Sequence, residues 1–407
     1  MLGNNIALSE KDLKYVVLII DGAAGWPLAS KEGRTSLELA CTPNLDAMAR
    51  EGSTGMARTV PPGMEPSSAC ACMSLLGYNP QQYRLGRAAI EAGSMGIDIY
   101  EDEVVFRCNM ITEREGRMYD YCAGHIRSDE SRELVSALEN VLGGDDIHFY
   151  PGVNYRHICK IRGHGETLEA SCTPPHDVPD QIIKDYLPRG RGSALLRDLM
   201  WRSVVVLGGH PVNKARVSRG ALPANMIWLF WGSGRLPDVP SFQDVYGLSA
   251  AVTSGVDVIR GMARVMGMGV LDIAGVTDGM DNDFSGQGAG ALGALNEYDL
   301  VVVHVEAPDE SGHGGSVEDK VAAIERVDAD IVGKMLDWAA GELRVLVMPD
   351  HPTPVELRTH TADPVPFLLW GEGFHANGAG RLTENEAKGT GLLVDPGYEI
   401  MSRLVGM

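Results

Sequence analysis

Residues 301–313 read VVVHVEAPDESGH, a dense β-branched run followed by a polar turn that carries a carboxylate at Asp309 and an imidazole at His313. A short apolar run bounded by polar residues is the pattern of a strand buried on both faces, as strands of a parallel sheet are. The four-residue spacing lets one helical turn or a tight loop bring Asp309 and His313 to one point. The same pattern recurs at 15–20 (YVVLII), closed by Asp21, and at 345–348 (VLVM), closed by Pro349, Asp350 and His351.

Helix-like stretches separate these runs. Thr42, Pro43 and Asn44 open an amphipathic segment ending near Gly52, and 318–338 carries apolar residues at helical spacing. The alternation predicts an α/β fold with a central, mostly parallel sheet flanked by helices. Such sheets bind ligands beyond the carboxyl ends of their strands. Asp21, Asp309, His313, Asp350 and His351 all stand there, and His360 follows shortly after in RTHTADPVP. Between 98 and 221 the texture changes to Gly-, Pro- and His-punctuated segments such as DYCAGHI and YPGVNYRHI, expected to form an inserted α+β cap domain. The core is then 1–97 with 222–407, resuming near 225–230.

With 407 residues the chain exceeds the size at which single cores stop growing, which fits a large domain plus a smaller one. A formal net charge of -20 argues against nucleic acid or an anionic membrane as the main partner, since both need a basic face. No apolar run reaches the ~18 residues of a membrane span. The N-terminal stretch reads as charged residues leading into a first strand rather than as a signal peptide. Seven cysteines are an odd number, and Cys70 and Cys72 are too close for the usual metal or redox pair, so a reduced, cytoplasmic setting is expected. Self-association into a homo-oligomer is left open by composition.

Asp, His and a hydroxyl are the donor set of Mn²⁺, Zn²⁺, Co²⁺ or Mg²⁺, with no thiolate among them. Two such ions about 4 Å apart clamp the attacking and leaving oxygens of an in-line phosphoryl displacement. Taken singly, each Asp reads as a helix cap and each His as a satisfied polar residue. Their recurrence on successive strand ends favours a metal centre. The nucleophile candidate lies in 61–80, PPGMEPSSACACMSLLGYNP, a Pro- and Gly-rich loop running into an Ala-rich helix start. Ser67 or Ser68 then sits at a helix N-terminus, where backbone N–H groups and the dipole stabilise an alkoxide or phosphoserine.

Asp21-Gly22, TPNLDAMAREG (42–52), SLLGYNP (74–80), GRAAIEA (86–92), FRCN (106–109), AGHI (123–126), YRH (155–157), PPHD (174–177), HVEAPDESGH (304–313), DHPTP (350–354) and RTHTADPVPF (358–367) together resemble the archaeal-type cofactor-independent phosphoglycerate mutases, in the family's order. The resemblance implies an alkaline phosphatase-like core with two divalent ions. One would be held by Asp21, Ser68, Asp350 and His351, the other by Asp309, His313 and His360. It further implies that Ser68 is the nucleophile and that 3-phosphoglycerate and 2-phosphoglycerate interconvert through a phosphoserine without 2,3-bisphosphoglycerate. Arg87, Arg107 and Arg156 lie in matching motifs and are expected to meet the anionic substrate, with Asn109, His125, His157, His176 and Asn213 as further contacts. Arg216 reads equally well as an ion-pair partner.

Two positions depart from the family pattern: Ala69 stands where Asp usually follows the serine, and Ser67 where Gly is common. The competing readings are a homoserine kinase-like phosphotransferase, a metal-dependent phosphatase and a non-catalytic metal-binding paralogue. Ala69 would favour the last, which the intact ligand set opposes. Neither GxxxxGK[ST] nor a helix-opening GxGxxG is present to seat a nucleotide.

Overall fold

The computed structural model describes residues 13–338 and 343–407, so the expectation for the first twelve residues lies outside it. The described chain divides into two units: the chain up to Tyr83 together with Val239–Met407, and Arg84–Asp238.

The first unit holds an eight-stranded sheet ordered Leu393–Val394, Ser53–Ala57, Val365–Gly371, Leu343–Met348, Lys14–Ile20, Leu300–Val305, Ala250–Thr253, Gly269–Val270. Lys14–Ile20 lies between Leu343–Met348 and Leu300–Val305 and is parallel to both, with Ile20 beside Val305 and Ile19 beside Met348. All three are buried almost throughout, which is why they are written in Val, Ile and Leu without polar alternation. Each such side chain contributes roughly 1.5–3 kcal/mol by leaving water. Val365–Gly371 runs antiparallel to both its neighbours, so the sheet is mixed toward that edge. The strands expected to carry the site are thus the three central neighbours. Asp21, Asp309 and Asp350 leave the same rim side by side.

The helix Pro43–Glu51 starts where the sequence indicates, but Thr42 makes no capping hydrogen bond. Asp328 does so instead: one carboxylate oxygen accepts from Leu45 N–H at 2.7 Å and the other from Asn44 N–H at 3.3 Å. Asp328 begins the π-helical turn Asp328–Val332 that joins Val317–Val327 to Gly333–Trp338 within the long helix expected at 318–338.

The second unit is built on Glu103–Arg114, which pairs antiparallel with Arg117–Asp120, Arg156–Arg162 and Met226–Ser233, while Ile147–Tyr150 flanks Arg156–Arg162. Residues of Ser128–Leu142 and Ser193–Gly208 share a core with Phe106, Met110 and Trp228. Ala88, Ala89 and Ala92 of Arg87–Ser94 pack on Val105 and Ile158. The unit is wider than the 98–221 insert read from sequence. The run at 225–230, expected to return to the core, is instead part of this second sheet. An apolar run announces a buried strand, but only its hydrogen-bonding partner says in which sheet.

Candidate active site

Asp21 ends the central strand, its N–H bonded to Val305 O at 3.0 Å. Gly22 follows with φ +60, and its N–H donates to Asp350 Oδ1 at 3.2 Å. A Cβ on Gly22 would run into the Asp309 carboxylate and lie 2.7 Å from Thr353 Oγ1, so only glycine lets the three loops close on one another. Asp309 and His313 occupy successive turns of the helix Ala307–Gly314. Asp350 Oδ1 also accepts from His351 N–H at 2.7 Å, which fixes the turn after Leu343–Met348.

The imidazoles converge through one kind of nitrogen. His313 Nδ1 lies 3.0 Å from Arg358 O and His360 Nδ1 3.3 Å from Pro66 O, so each donates there and leaves Nε2 with a lone pair. His351 Nδ1 lies 3.3 Å from Thr353 Oγ1, whose proton goes to Asp309. Yet His313 Nε2 and His360 Nε2 stand 2.8 Å apart, with Asp309 Oδ2 3.1 Å from the first. Two facing lone pairs repel unless a proton or cation lies between them. The donor atoms of Asp309, His313 and His360 fall within 4.8 Å of one another, as do those of Asp21, Asp309 and His351. The residues present therefore fit divalent metal on both sides of Asp309, and the buried Asp21 Oδ1, without a hydrogen-bond partner, fits as a ligand atom.

Without metal the carboxylates strain against one another. Burial first, then the charges of Asp350 and Asp309, push Asp21 well above the usual carboxylate range. Burial acts the same way on Asp309, but hydrogen bonds from His313 and His360 outweigh it and hold that group low. The Asp309 partner raises His313 from 6.5 to about 9. In metal-stripped protein this contributes stability that is fully present below the ordinary histidine value and lost as pH rises through about 9. Metal must displace the same proton, so apparent affinity is expected to climb about tenfold per pH unit between about pH 7 and 9. Calorimetric titration of metal-stripped protein checks this; a flat profile contradicts it.

Ser67 and Ser68 have separate roles in the fold. Ser67 is the N-cap of the helix Ser68–Leu75, its hydroxyl accepting from Cys70 N–H at 3.3 Å. Ser68 is half-buried with Oγ 3.3 Å from His351 Nε2, beside the ligand cluster and at the positive end of the helix. Ala69 follows inside the first turn.

Three buried residues around this cluster escaped sequence reading. His304 Nε2 lies 2.8 Å from Asp21 Oδ2 while its Nδ1 meets Ser254 Oγ at 3.0 Å, so a hydroxyl and an imidazole orient the Asp21 carboxylate. Thr353 ties His351 to Asp309. Lys320 donates to Ala24 O at 3.0 Å and Thr353 O at 2.7 Å, joining the loops that follow Asp21 and His351; burial lowers its ammonium to about 8. The only sequence cues were a histidine inside a valine run and a lysine on an apolar helix face.

In the second unit, the register sets Asn109 opposite Arg156 and Arg107 opposite Ile158, which puts Arg107, Asn109 and Arg156 on one face. Arg107 is buried, with Nε 2.9 Å from Glu91 Oε2 but off the line of a hydrogen bond, and Arg87 Nε is 3.3 Å from Glu91 Oε1. Burial first, with Arg87 and Arg156 adding to it against Glu91, lowers Arg107 to about 10. Asn109 Oδ1 is buried without a hydrogen-bond partner. His125 and His176 are exposed and edge onto Tyr155 and Trp231 respectively.

Two expected contacts go elsewhere. His157 pairs with Cys108 on the opposite face, its Nδ1 accepting from Gly152 N–H at 3.1 Å, and burial lowers it to about 3. Asn213 is buried with its amide donating to Leu207 O and Ala224 O and its oxygen accepting from Ala224 N–H, so it holds a helix junction rather than a ligand. Arg216 is a buried ion-pair partner of Glu130.

A family model described as 2,3-bisphosphoglycerate-independent phosphoglycerate mutase matches residues 49–213. A protein of that name from Methanothrix thermoacetophila is 46% identical over 396 residues, covering 97% of this chain and 100% of the relative. One from Methanosarcina acetivorans is 45% identical over 361 residues, covering 88% and 90%. A Pyrococcus horikoshii protein of solved structure superposes with a TM-score of 0.81 at 26% identity over 97% of each chain. Alike in nearly half its residues to mutases it matches over almost its whole length, the chain belongs to the 2,3-bisphosphoglycerate-independent phosphoglycerate mutase family.

Proposed function

We propose that the chain interconverts 3-phosphoglycerate and 2-phosphoglycerate through a phosphoserine at Ser68. Asp21, Ser68, Asp350 and His351 would hold one divalent ion and Asp309, His313 and His360 a second. Bound there, Mn²⁺, Co²⁺, Zn²⁺ or Mg²⁺ supplies Lewis acidity toward the phosphoryl oxygens and lowers the pKa of the serine hydroxyl. The observation that carries this reading is the meeting of Ser68 Oγ with His351 Nε2 at a helix N-terminus, beside three Nε2 lone pairs and the Asp21 and Asp309 carboxylates.

Ser68 Oγ attacks phosphorus and the glycerate oxygen leaves; the 2-hydroxyl of the retained glycerate then takes the phosphoryl group back. The first-turn N–H groups of Ser68–Leu75 stabilise charge on Ser68 Oγ as it forms and releases the ester. His304 and Thr353 hold Asp21 and Asp309 in orientation. Arg87, Arg107, Arg156 and Asn109 bind the carboxylate and hydroxyl groups of the glycerate, whose retention keeps water from completing a hydrolysis. The described cysteines are all unpaired, which supports a reducing, cytoplasmic setting, and no helix among the described residues is long and apolar enough to cross a membrane.

The test is purified, metal-loaded enzyme given 3-phosphoglycerate without bisphosphoglycerate or ATP, with product followed by phosphorus NMR. Homoserine with ATP and a generic phosphate ester run in parallel. Formation of 2-phosphoglycerate is expected, and Arg107→Ala is expected to weaken transition-state binding by ~2–5 kcal/mol, the cost of breaking one partner of a buried charged contact. ADP formation with homoserine and no mutase turnover would replace this reading by a kinase.

A further inference from the structure

Trp231 has φ +48, left-handed backbone that a bulky side chain adopts only under constraint. The ladder slips at the same place. Val105 pairs with Ser233 while Arg107 pairs with Phe230, so Trp231 and Gly232 stand opposite Phe106 alone, a one-residue bulge. Bulges re-aim side chains. Here the indole lies 4.3 Å from the Arg87 guanidinium carbon and 5.3 Å from that of Arg107. The rings of Phe230 and His176 stand 4.8 Å and 5.5 Å from it.

Arg87 and Arg107 reach the same carboxylate, Glu91, at 3.3 Å and 2.9 Å. Two like charges sharing one counter-ion tend to swing apart, the exposed one first. An electron-rich ring face beneath both offsets that tendency without neutralising either cation, which a second carboxylate would do. A site for a small anion needs the cations kept together and kept charged. Trp231 also packs against the core of its unit, so the stacking on the arginines comes in addition to that contact.

We propose that Trp231 is a positioning residue of the phosphoglycerate site: its strained, bulged backbone holds the indole against Arg87 and Arg107 and so fixes their aim at the substrate's anionic groups. The proposal rests on the reading that these arginines bind substrate.

The experiment compares Trp231→Ala, Trp231→Phe, Arg87→Ala, Arg107→Ala and the Trp231→Ala/Arg87→Ala double variant in the metal-loaded enzyme. Readouts are KM and kcat for 3-phosphoglycerate, calorimetric Kd and melting temperature. Trp231→Ala is expected to raise KM and Kd about tenfold or more, with a much smaller fall in kcat. Trp231→Phe should recover most of that loss, because a ring face remains. In the Arg87→Ala background, Trp231→Ala should add less than it does alone, keeping only the part that acts through Arg107. A merely structural role predicts a lower melting temperature with KM unmoved, and additivity in the double variant; either outcome overturns the proposal. If Arg107→Ala weakens binding and Trp231→Ala does not, the role of Trp231 fails and that of the arginines stands. If neither arginine variant changes KM or Kd, both fall.

Discussion

Ser68→Ala is expected to lower turnover by at least about 10⁴-fold, the scale of deleting a covalent nucleophile, while Ser67→Ala keeps most of it. The two adjacent hydroxyls are already assigned to different tasks. That of Ser67 accepts the Cys70 N–H as N-cap, so its loss takes about 1 kcal/mol from stability and leaves the chemistry in place. That of Ser68 lies 3.3 Å from His351 Nε2, at the first residue of the helix. Ala69 leaves Ser68 without an acidic neighbour in the chain, so the groups placed to activate its hydroxyl are the cluster around His351 and the helix N-terminus. Acid-quenched enzyme mapped by mass spectrometry settles the matter. Phosphate on Ser67, or full activity in Ser68→Ala, would sink the assignment.

Asp309→Ala is expected to reduce bound metal from about two ions per chain to about one and to cost more activity than the ~10–100-fold typical of losing a residue that only orients a ligand. Asp309 is where the two donor groups meet: Oδ2 faces His313, while Oδ1 faces His360 and accepts from Thr353. Removing it takes a carboxylate from one cluster and the hydroxyl's acceptor from the other. Chelation of the parent enzyme should abolish activity, with Mn²⁺, Co²⁺ or Zn²⁺ restoring it, since mixed carboxylate and imidazole donors suit these ions. Elemental analysis that finds one ion in the active parent, or an unchanged metal content in Asp309→Ala, refutes the paired centre.

What the sequence revealed follows the range of its signals. Asp21, Asp309, His313, Asp350 and His351 were legible because each stands just past a dense apolar run, and a parallel sheet gathers such positions on one rim. His304 was not, since inside VVVHV it reads as one more strand residue. It meets Asp21 only because Leu300–Val305 lies beside Lys14–Ile20, a lateral relation that no local period encodes. Asp328 takes the capping role that the sequence offers to Thr42, again across the chain. Asn213 illustrates the converse error: a polar residue expected among the substrate contacts satisfies the backbone at the end of Ser193–Gly208 and in the loop before Met226–Ser233. Arg107 and Arg156 share a face because Arg156 stands opposite Asn109, two residues from Arg107 on the strand, and His157, one place from Arg156, is thereby turned away.

The central strand of the first unit also sets an order of events during synthesis. Lys14–Ile20 is made well before either of its sheet partners, which begin at Leu300 and Leu343. At ~5–20 residues per second, roughly 280 further residues occupy the ribosome for about 15–60 s before either partner exists. The second unit, continuous in sequence, can close its antiparallel sheet inside that interval. The nascent chain therefore carries a finished insert on an unfinished core, with a seven-residue, mostly apolar strand open to any passing edge. Its yield in a cell depends on what shields that strand until Leu300–Val305 and Leu343–Met348 have been made.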